Sequence, residues 1–309
     1  MASSSANRAL VVGHGSIGQR HARLLADLGL DVSIVSRRQL PIAKTFASIE
    51  QALADGAFGY VVVANETSEH AAAVQALRTG GHRGKVLIEK PVTSSPADID
   101  GSGFAMCAVG YNLRFHPVLA ALSDALAGQT ILSMQIYCGQ YLPTWREGRD
   151  YREAYSAHDS QGGGALRDLS HELDYALWLG GRWKRVVALG GHVSSLNIRS
   201  DDSFALLLEL DGCPMATLQV NYLDRPGRRD IVVNTDERTF HADLIGGTLE
   251  TDGVLRRFPL DRDRTMLDEH RAVLADDRRR LCSLAEGARV VALVDAAFRS
   301  ANERCWIAA

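Results

Sequence analysis

Hydrophobic and polar positions follow two regimes along the chain. Up to about Ile88, short apolar runs alternate with stretches whose apolar residues recur every three or four positions. Ala9–Val12, Val32–Val35, Tyr60–Ala64 and Val86–Ile88 are expected to be strands, and Ile17–Leu28, Ile42–Ala54 and His70–Arg78 helices. Strands that alternate with helices predict a parallel sheet wound right-handedly, with helices on its faces. From about Ile131 the pattern becomes alternating strands with tight turns, at Ile131–Gln140, Val186–Val193, Phe204–Leu210, Ala216–Tyr222 and Ile231–Asn234. Asp211-Gly212 between two of these is a hairpin signal. The expected fold is therefore an α/β domain with a parallel sheet over residues 1–112, then an α+β domain with a mostly antiparallel sheet over 113–309. The boundary falls between Tyr111 and Pro117, and Ala285–Ala297 reads as a closing helix.

The first strand runs directly into Gly13-His14-Gly15-Ser16-Ile17-Gly18, and the first helix follows. In this G-x-G-x-x-G arrangement Gly13 permits the tight turn. Gly15 lets backbone approach a pyrophosphate, and Gly18 lets the helix pack on the strand. The backbone N–H groups of Ser16 and Ile17 and the helix dipole favour phosphate. Placed between a strand and a helix, the loop predicts a Rossmann domain that binds a nicotinamide dinucleotide. An acidic residue at the end of the second strand would hold the ribose hydroxyls of NAD. Ser36 takes that place, followed by Arg37 and Arg38. A hydroxyl beside two guanidinium groups suits a 2′-phosphate, so NADP(H) is the expected cofactor and NAD(H) the second choice.

Composition adds exclusions. The 309 residues, 46% hydrophobic and 23% charged, give an ordinary globular chain long enough for two domains. A net charge of -3 with dispersed basic residues gives nucleic acid no footprint. Arg278-Arg279-Arg280, after Asp276-Asp277, sits in a helical pattern and reads as a solvated face. Met1–Asn7 is small and polar, reads as a disordered lead-in and lacks the apolar core of a signal peptide. The longest apolar run, Phe58–Ala64, is strand-sized, which predicts a soluble, cytoplasmic protein. Cys107, Cys138, Cys213, Cys282 and Cys305 have no C-x-x-C pair and read as free thiols, with no metal site expected.

Two further segments carry candidate chemistry. Glu89-Lys90-Pro91 ends the fourth strand, on the carboxyl edge where doubly wound sheets bind ligands. Pro91 keeps Lys90 out of helical geometry, and its ammonium can stabilise alkoxide character on a reacting oxygen. Most lysines are simply solvated, so the tripeptide alone says little. Gly162-Gly163-Gly164 precedes a helical pattern from Ala165 to Trp178, where Asp168, His171 and Asp174 stand three apart along one side. An imidazole between carboxylates can be oriented by one of them and act as acid or base.

Together these residues resemble the glucose-fructose oxidoreductase, inositol dehydrogenase and rhizopine catabolism (Gfo/Idh/MocA) family. The likeness rests on the glycine loop, Val61-Val62-Val63-Ala64-Asn65 with His70 downstream, Glu89-Lys90-Pro91, Gly110–Pro117, and the glycine-rich helix with Asp168 and His171. The resemblance implies a Rossmann domain and a second domain built on an open sheet that often forms the oligomer interface, hence a homo-oligomer. It implies catalytic roles for Lys90, His171 and Asp168, with Asn65, Thr67, His70, Glu89 and Asn112 bordering the cofactor. In the family the aspartate stands four residues before the histidine, which would put Arg167 in its place. The stretch between Pro91 and Gly110 is also short for the family and is interrupted by Pro96, Gly101 and Gly103. The substrates implied are sugars, inositols and sugar nucleotides. Arg114, Trp145, Arg146, Tyr151 and Tyr155 would supply hydrogen bonds and an aromatic platform. The activity expected is hydride transfer to or from a secondary alcohol. A dinucleotide sensor without catalysis and a redox-neutral glycosidase are the alternatives.

Overall fold

The computed structural model describes residues 7–38, 40, 44–145 and 148–309. In chain order it begins with β1 (Arg8–Val12), α1 (Ser16–Asp27), β2 (Asp31–Val35), β3 (Lys44–Phe46), α2 (Ile49–Asp55), β4 (Tyr60–Val63), α3 (His70–Thr79), β5 (Lys85–Ile88) and β6 (Met106–Val109). Then come α4 (Pro117–Ala125), β7 (Ile131–Gly139), α5 (Ala165–Asp168), α6 (His171–Gly180), β8 (Trp183–Gly191), β9 (Ser203–Leu210), β10 (Cys213–Asn221), β11 (Arg228–Thr235), β12 (Thr239–Asp243), β13 (Thr248–Thr251) and β14 (Val254–Arg257). The chain closes with α7 (Arg264–Leu274), β15 (Cys282–Ser283), α8 (Leu284–Glu303) and β16 (Ile307–Ala308). Two compact units result. One comprises the chain up to Phe115 with Asp261–Ala288, the other His116–Leu260 with Arg289–Ala309.

The first unit is a Rossmann fold, with strand order β15-β6-β5-β4-β1-β2-β3 and every pair parallel except β15 with β6. Its register aligns Val35, Val12, Val63, Ile88 and Val109 in one row across the sheet. Because these are the last residues of their strands, the segments starting at Ser36, Gly13, Ala64, Glu89 and Gly110 leave the same edge at the same level. Both faces of the strands are buried, which is why β4 reads Tyr-Val-Val-Val without alternation.

No helix lies between β5 and β6. The face of the sheet there is covered instead by the returning segment, with Ala272, Val273 and Leu281 packed in one core cluster with Leu87, Met106 and Ala108. The helix expected over Ile42–Ala54 is shorter. Ile42 lies outside the described residues, Lys44–Phe46 pairs with Ser33–Val35, and helix starts only at Ile49. Thr45 and Phe46 favour a strand, the edge of β2 offers pairing, and Ser48 caps the helix by accepting from Gln51 N at 3.3 Å. Arg278–Arg280 likewise follows α7 in irregular chain, outside any helix. Asp277 ends the helical pattern by binding the Arg279 backbone and guanidinium.

The second unit holds a nine-stranded sheet, β14-β13-β12-β11-β7-β10-β9-β8-β16, antiparallel except where β10 pairs with β7. Asp211-Gly212 makes the β9–β10 hairpin turn. Helices α5 and α6 pack against β10 on one face. The other face leaves Leu189 75% and Met215 54% exposed. The expected single helix after the glycines is two, α5 and α6, because the backbone at Leu169 turns out of helical geometry (φ −93°, ψ 31°).

Candidate active site

The glycine loop has the geometry a dinucleotide needs. Gly13 takes φ +100°, and a Cβ there would stand 2.7 Å from Ala64 O and Asn65 N. A Cβ on Gly18 would collide with Gly13 O. Gly15 differs: its Cβ would meet nothing within 4 Å, and as the residue before α1 it offers the helix no side-chain cap. An uncapped helix start facing open space under a glycine is a fitting cradle for pyrophosphate. Beside it Asn65 Oδ1 is buried with no hydrogen-bond partner among the described residues, an acceptor left for a donor. Ser16 is exposed and Ile17 half-buried at the helix start.

At the end of β2, Ser36 Oγ accepts from Arg38 N at 3.0 Å, which folds the chain so that both arginines stay exposed. The Arg37 side chain is 90% exposed and meets Glu69 Oε1 at 3.4 Å. Burial and the charge of Arg38 hold the His14 imidazole below its usual pKa, so the guanidinium stands within electrostatic reach of the glycine loop. His70 is buried, its ring between the carbonyls of Asn65 and Val92 at 3.3 Å each. It therefore ties the segment after β4 to the segment after β5. Thr67 lies half-buried in the short 3-10 turn between Asn65 and His70.

Lys90 is half-buried and joined to Pro91 by a cis peptide bond. Glu89 Oε2 accepts from Lys90 N at 3.0 Å, and Oε1 meets His21 Nε2 at 2.8 Å. Burial pushes the Glu89 carboxyl up, but the His21 bond and the Lys90 charge outweigh it and hold the group below the usual range. Asn112 Nδ2 donates to Thr265 Oγ1 at 2.8 Å. Arg114, expected at the substrate, is buried, pairs with Glu286 at 3.0 Å and donates to Leu281 O. It anchors the returning segment.

Asp168, His171, Trp145, Tyr151 and Tyr155 belong to the second unit, and Arg146 lies outside the described residues. Asp168 ends α5 and His171 opens α6, so the two do not share a helical face. Asp168 is buried and its Oδ2 accepts from the Tyr222 hydroxyl at 2.7 Å. The Trp145 ring meets Tyr222 edge-on at 5.1 Å, and its buried Nε1 has no partner among the described residues. Trp145 and Tyr151 line one cavity of about 330 Å³ with Asp150 and Glu153. Tyr155 is 44% exposed. His171 is half-buried, and the next residue, Glu172, is fully buried, with Arg229 Nε 2.8 Å from its Oε1.

Two residues here went unread in the sequence. Tyr222 sits in an expected strand, and no periodicity marks its hydroxyl. Asp201 fastens the start of α5, accepting from Leu166 N at 2.9 Å, and a Cβ on Gly164 would overlap its carboxylate. Burial raises the Asp201 pKa to about 6. Nearby Asp168 pushes the same way, while the Leu166 N–H and the Arg167 charge pull against it.

The fold and these sites define a dinucleotide-binding oxidoreductase, a Rossmann unit paired with an open-sheet unit. Residues 7–102 match the model described as "Oxidoreductase family, NAD-binding Rossmann fold" and residues 127–241 the GFO/IDH/MocA C-terminal domain. The chain belongs to the Gfo/Idh/MocA family. Among solved structures it is similar to GenD2 from gentamicin A biosynthesis in complex with NAD, at 22% identity and TM-score 0.78, covering 100% of this chain and 98% of that one. Levoglucosan dehydrogenase in complex with NADH follows the fold at 17% identity and TM-score 0.81, over 97% and 98% of the two chains. The WlbA dehydrogenase from Bordetella pertussis, in complex with NADH and UDP-GlcNAcA, does so at 21% identity and TM-score 0.78, over 98% of each. No curated protein matches the sequence. Among the described residues no helix is long and apolar enough to cross a membrane.

Proposed function

We propose that the protein is an NADP(H)-preferring dehydrogenase or reductase acting on a secondary alcohol or ketone of a sugar, inositol or sugar nucleotide. The observation that carries this is the common strand register, which brings the glycine loop, the Ser36–Arg38 turn and Glu89-Lys90 out at one edge of one sheet. A bound nicotinamide supplies the hydride acceptor or donor. Lys90 polarises the reacting oxygen, and His171 takes the hydroxyl proton as hydride leaves the adjacent carbon, or returns it in the reverse direction. Asp168, rather than Arg167, is the assisting carboxylate, since Arg167 lies over the Phe298 ring at 4.6 Å. Trp145 and Tyr151 face the sugar. Preference for the phosphorylated dinucleotide rests on the two exposed arginines beside the loop and on Ser36 at the acidic position. The sugar class is supported by the levoglucosan and UDP-GlcNAcA enzymes of like fold.

The exposed Leu189 and Met215 on the open face of the nine-stranded sheet support a homo-oligomer through that face. Five free thiols fit a reducing, cytoplasmic setting.

The test is a panel of levoglucosan, myo-inositol and UDP-sugars with NADP and NAD, followed at the reduced nicotinamide absorbance. Turnover with NADP preferred is expected, and a clear NAD preference would overturn the reading of the Ser36–Arg38 turn. Lys90→Met should abolish turnover while dinucleotide affinity stays within about twofold, and undiminished turnover would remove Lys90 from the chemistry. Turnover without net change in reduced cofactor would point to the redox-neutral glycosidase, and tight binding without turnover to the sensor.

A further inference from the structure

One cluster of buried titratable side chains has no part in the proposed hydride transfer. On the sheet face covered by α1 and α7, the Tyr60 hydroxyl is 2.9 Å from His270 Nδ1. His270 Nε2 is 3.0 Å from His21 Nδ1, and His21 Nε2 is 2.8 Å from Glu89 Oε1. Tyr60, His270 and His21 are completely buried. Three separate elements, β4, α7 and α1, thus converge on the residue that precedes Lys90. Gly110 leaves the carboxylate its place, since a Cβ there would stand 3.2 Å from Glu89 Oε1.

We propose that Tyr60, His270 and His21 form a one-directional hydrogen-bond chain that fixes the Glu89 carboxylate at the Lys90 backbone, making all three positioning residues for Lys90. The direction follows from the far end. An ionised Glu89 can only accept, so His21 donates from Nε2; a neutral His270 has one N–H, and with Nδ1 turned to the Tyr60 hydroxyl that N–H is on Nε2, donating to His21 Nδ1. His270 Nδ1 then accepts from Tyr60. Burial holds His270 well below the usual imidazole pKa, and burial with the Glu269 and Glu89 charges keeps the Tyr60 hydroxyl protonated. Every N–H or O–H of the chain points toward Glu89, and each bond polarises the next. Glu89 spends one oxygen on this chain and the other on Lys90 N.

The inference rests on the reading of Lys90 as the residue that meets the reacting oxygen. Its test needs no substrate, so the two fail separately. In protein carrying 15N-histidine at pH 7.5, His21→Gln and His270→Gln assign two of the ten histidines. Both rings are expected as neutral Nε2–H tautomers. A proton on Nδ1 of either ring would overturn the chain's direction. The second arm uses 13Cε-lysine, since the chain has four lysines, Lys44, Lys85, Lys90 and Lys184. Tyr60→Phe and His21→Leu should shift the Lys90 signal, and His21→Gln, whose amide still donates to Glu89, should restore it. Lys85 binds Leu274 O at the end of α7 and reports any general loosening there. A Lys90 signal that stays put, or moves only together with that of Lys85, would reduce the three residues to packing.

Discussion

Asp201 shows how one buried carboxyl can set a pH dependence. Its folded pKa of about 6 lies above the 3.8 of an unperturbed aspartate, so the folded protein holds that proton more tightly than the unfolded chain. The contribution is fully present below about pH 4 and is lost as pH rises through about 6, up to about 3 kcal/mol. Asp201→Asn keeps an acceptor for Leu166 N and removes the charge. Thermal unfolding should therefore show no gain for the variant at pH 4 and a higher Tm at pH 8. An equal Tm at both would show that Asp201 does not titrate in this range. Tyr222→Phe removes the hydrogen bond to buried Asp168 and should cost about 1–3 kcal/mol, read in the same experiment. Neither residue could be read from the sequence. The three glycines could be, because their spacing and flanks are local, whereas Asp201 and Tyr222 gain meaning only from partners more than thirty residues away. Arg114 misled for the same reason: its partner, Glu286, lies far along the chain.

At the level of elements, the glycine loop separates binding from folding. Gly15→Ala adds a methyl into open space and should leave Tm unchanged while dinucleotide affinity falls about tenfold or more, by fluorescence titration. Gly18→Ala drives the methyl into Gly13 O and should lower both. Unaltered affinity in Gly15→Ala would move the pyrophosphate elsewhere. In the second unit, the start of α6 is anchored by the buried Glu172–Arg229 pair directly after His171. Arg229→Met strands a buried carboxylate and should destabilise by about 3–5 kcal/mol, most of it recovered when Glu172→Leu is added. The hydrophobic period revealed most of these elements. It merged α5 with α6 because apolar spacing continues across Leu169 while the backbone does not. It extended α2 backward because an edge strand of three residues is too short to show a period.

For the whole molecule, the change from a parallel to a mostly antiparallel sheet was legible, because alternation and helical spacing are repeated over many residues. The two exposed apolar side chains of the large sheet predict self-association. Leu189→Glu should shift sedimentation toward the monomer without lowering Tm below that of the monomeric state, and an unchanged profile would place the oligomer interface elsewhere. What no periodicity could announce is the return of Asp261–Ala288 to the first unit. A helix pattern does not say which sheet it will cover, and the crossover it replaces leaves only a shortened segment between Pro91 and Gly110 as a trace.

That return imposes an order on synthesis. The face of β5 and β6 that α7 covers leaves the ribosome about 154 residues before α7 itself, since residues 110–263 lie between β6 and α7. At about 5–20 residues per second this is a delay of roughly 8 to 31 s. During that interval Leu87, Met106 and Ala108 have no lid, and the histidine chain lacks its middle link. The nascent first unit thus keeps part of its sheet uncovered for that interval, and it is complete only after Asp261–Ala288 has been made.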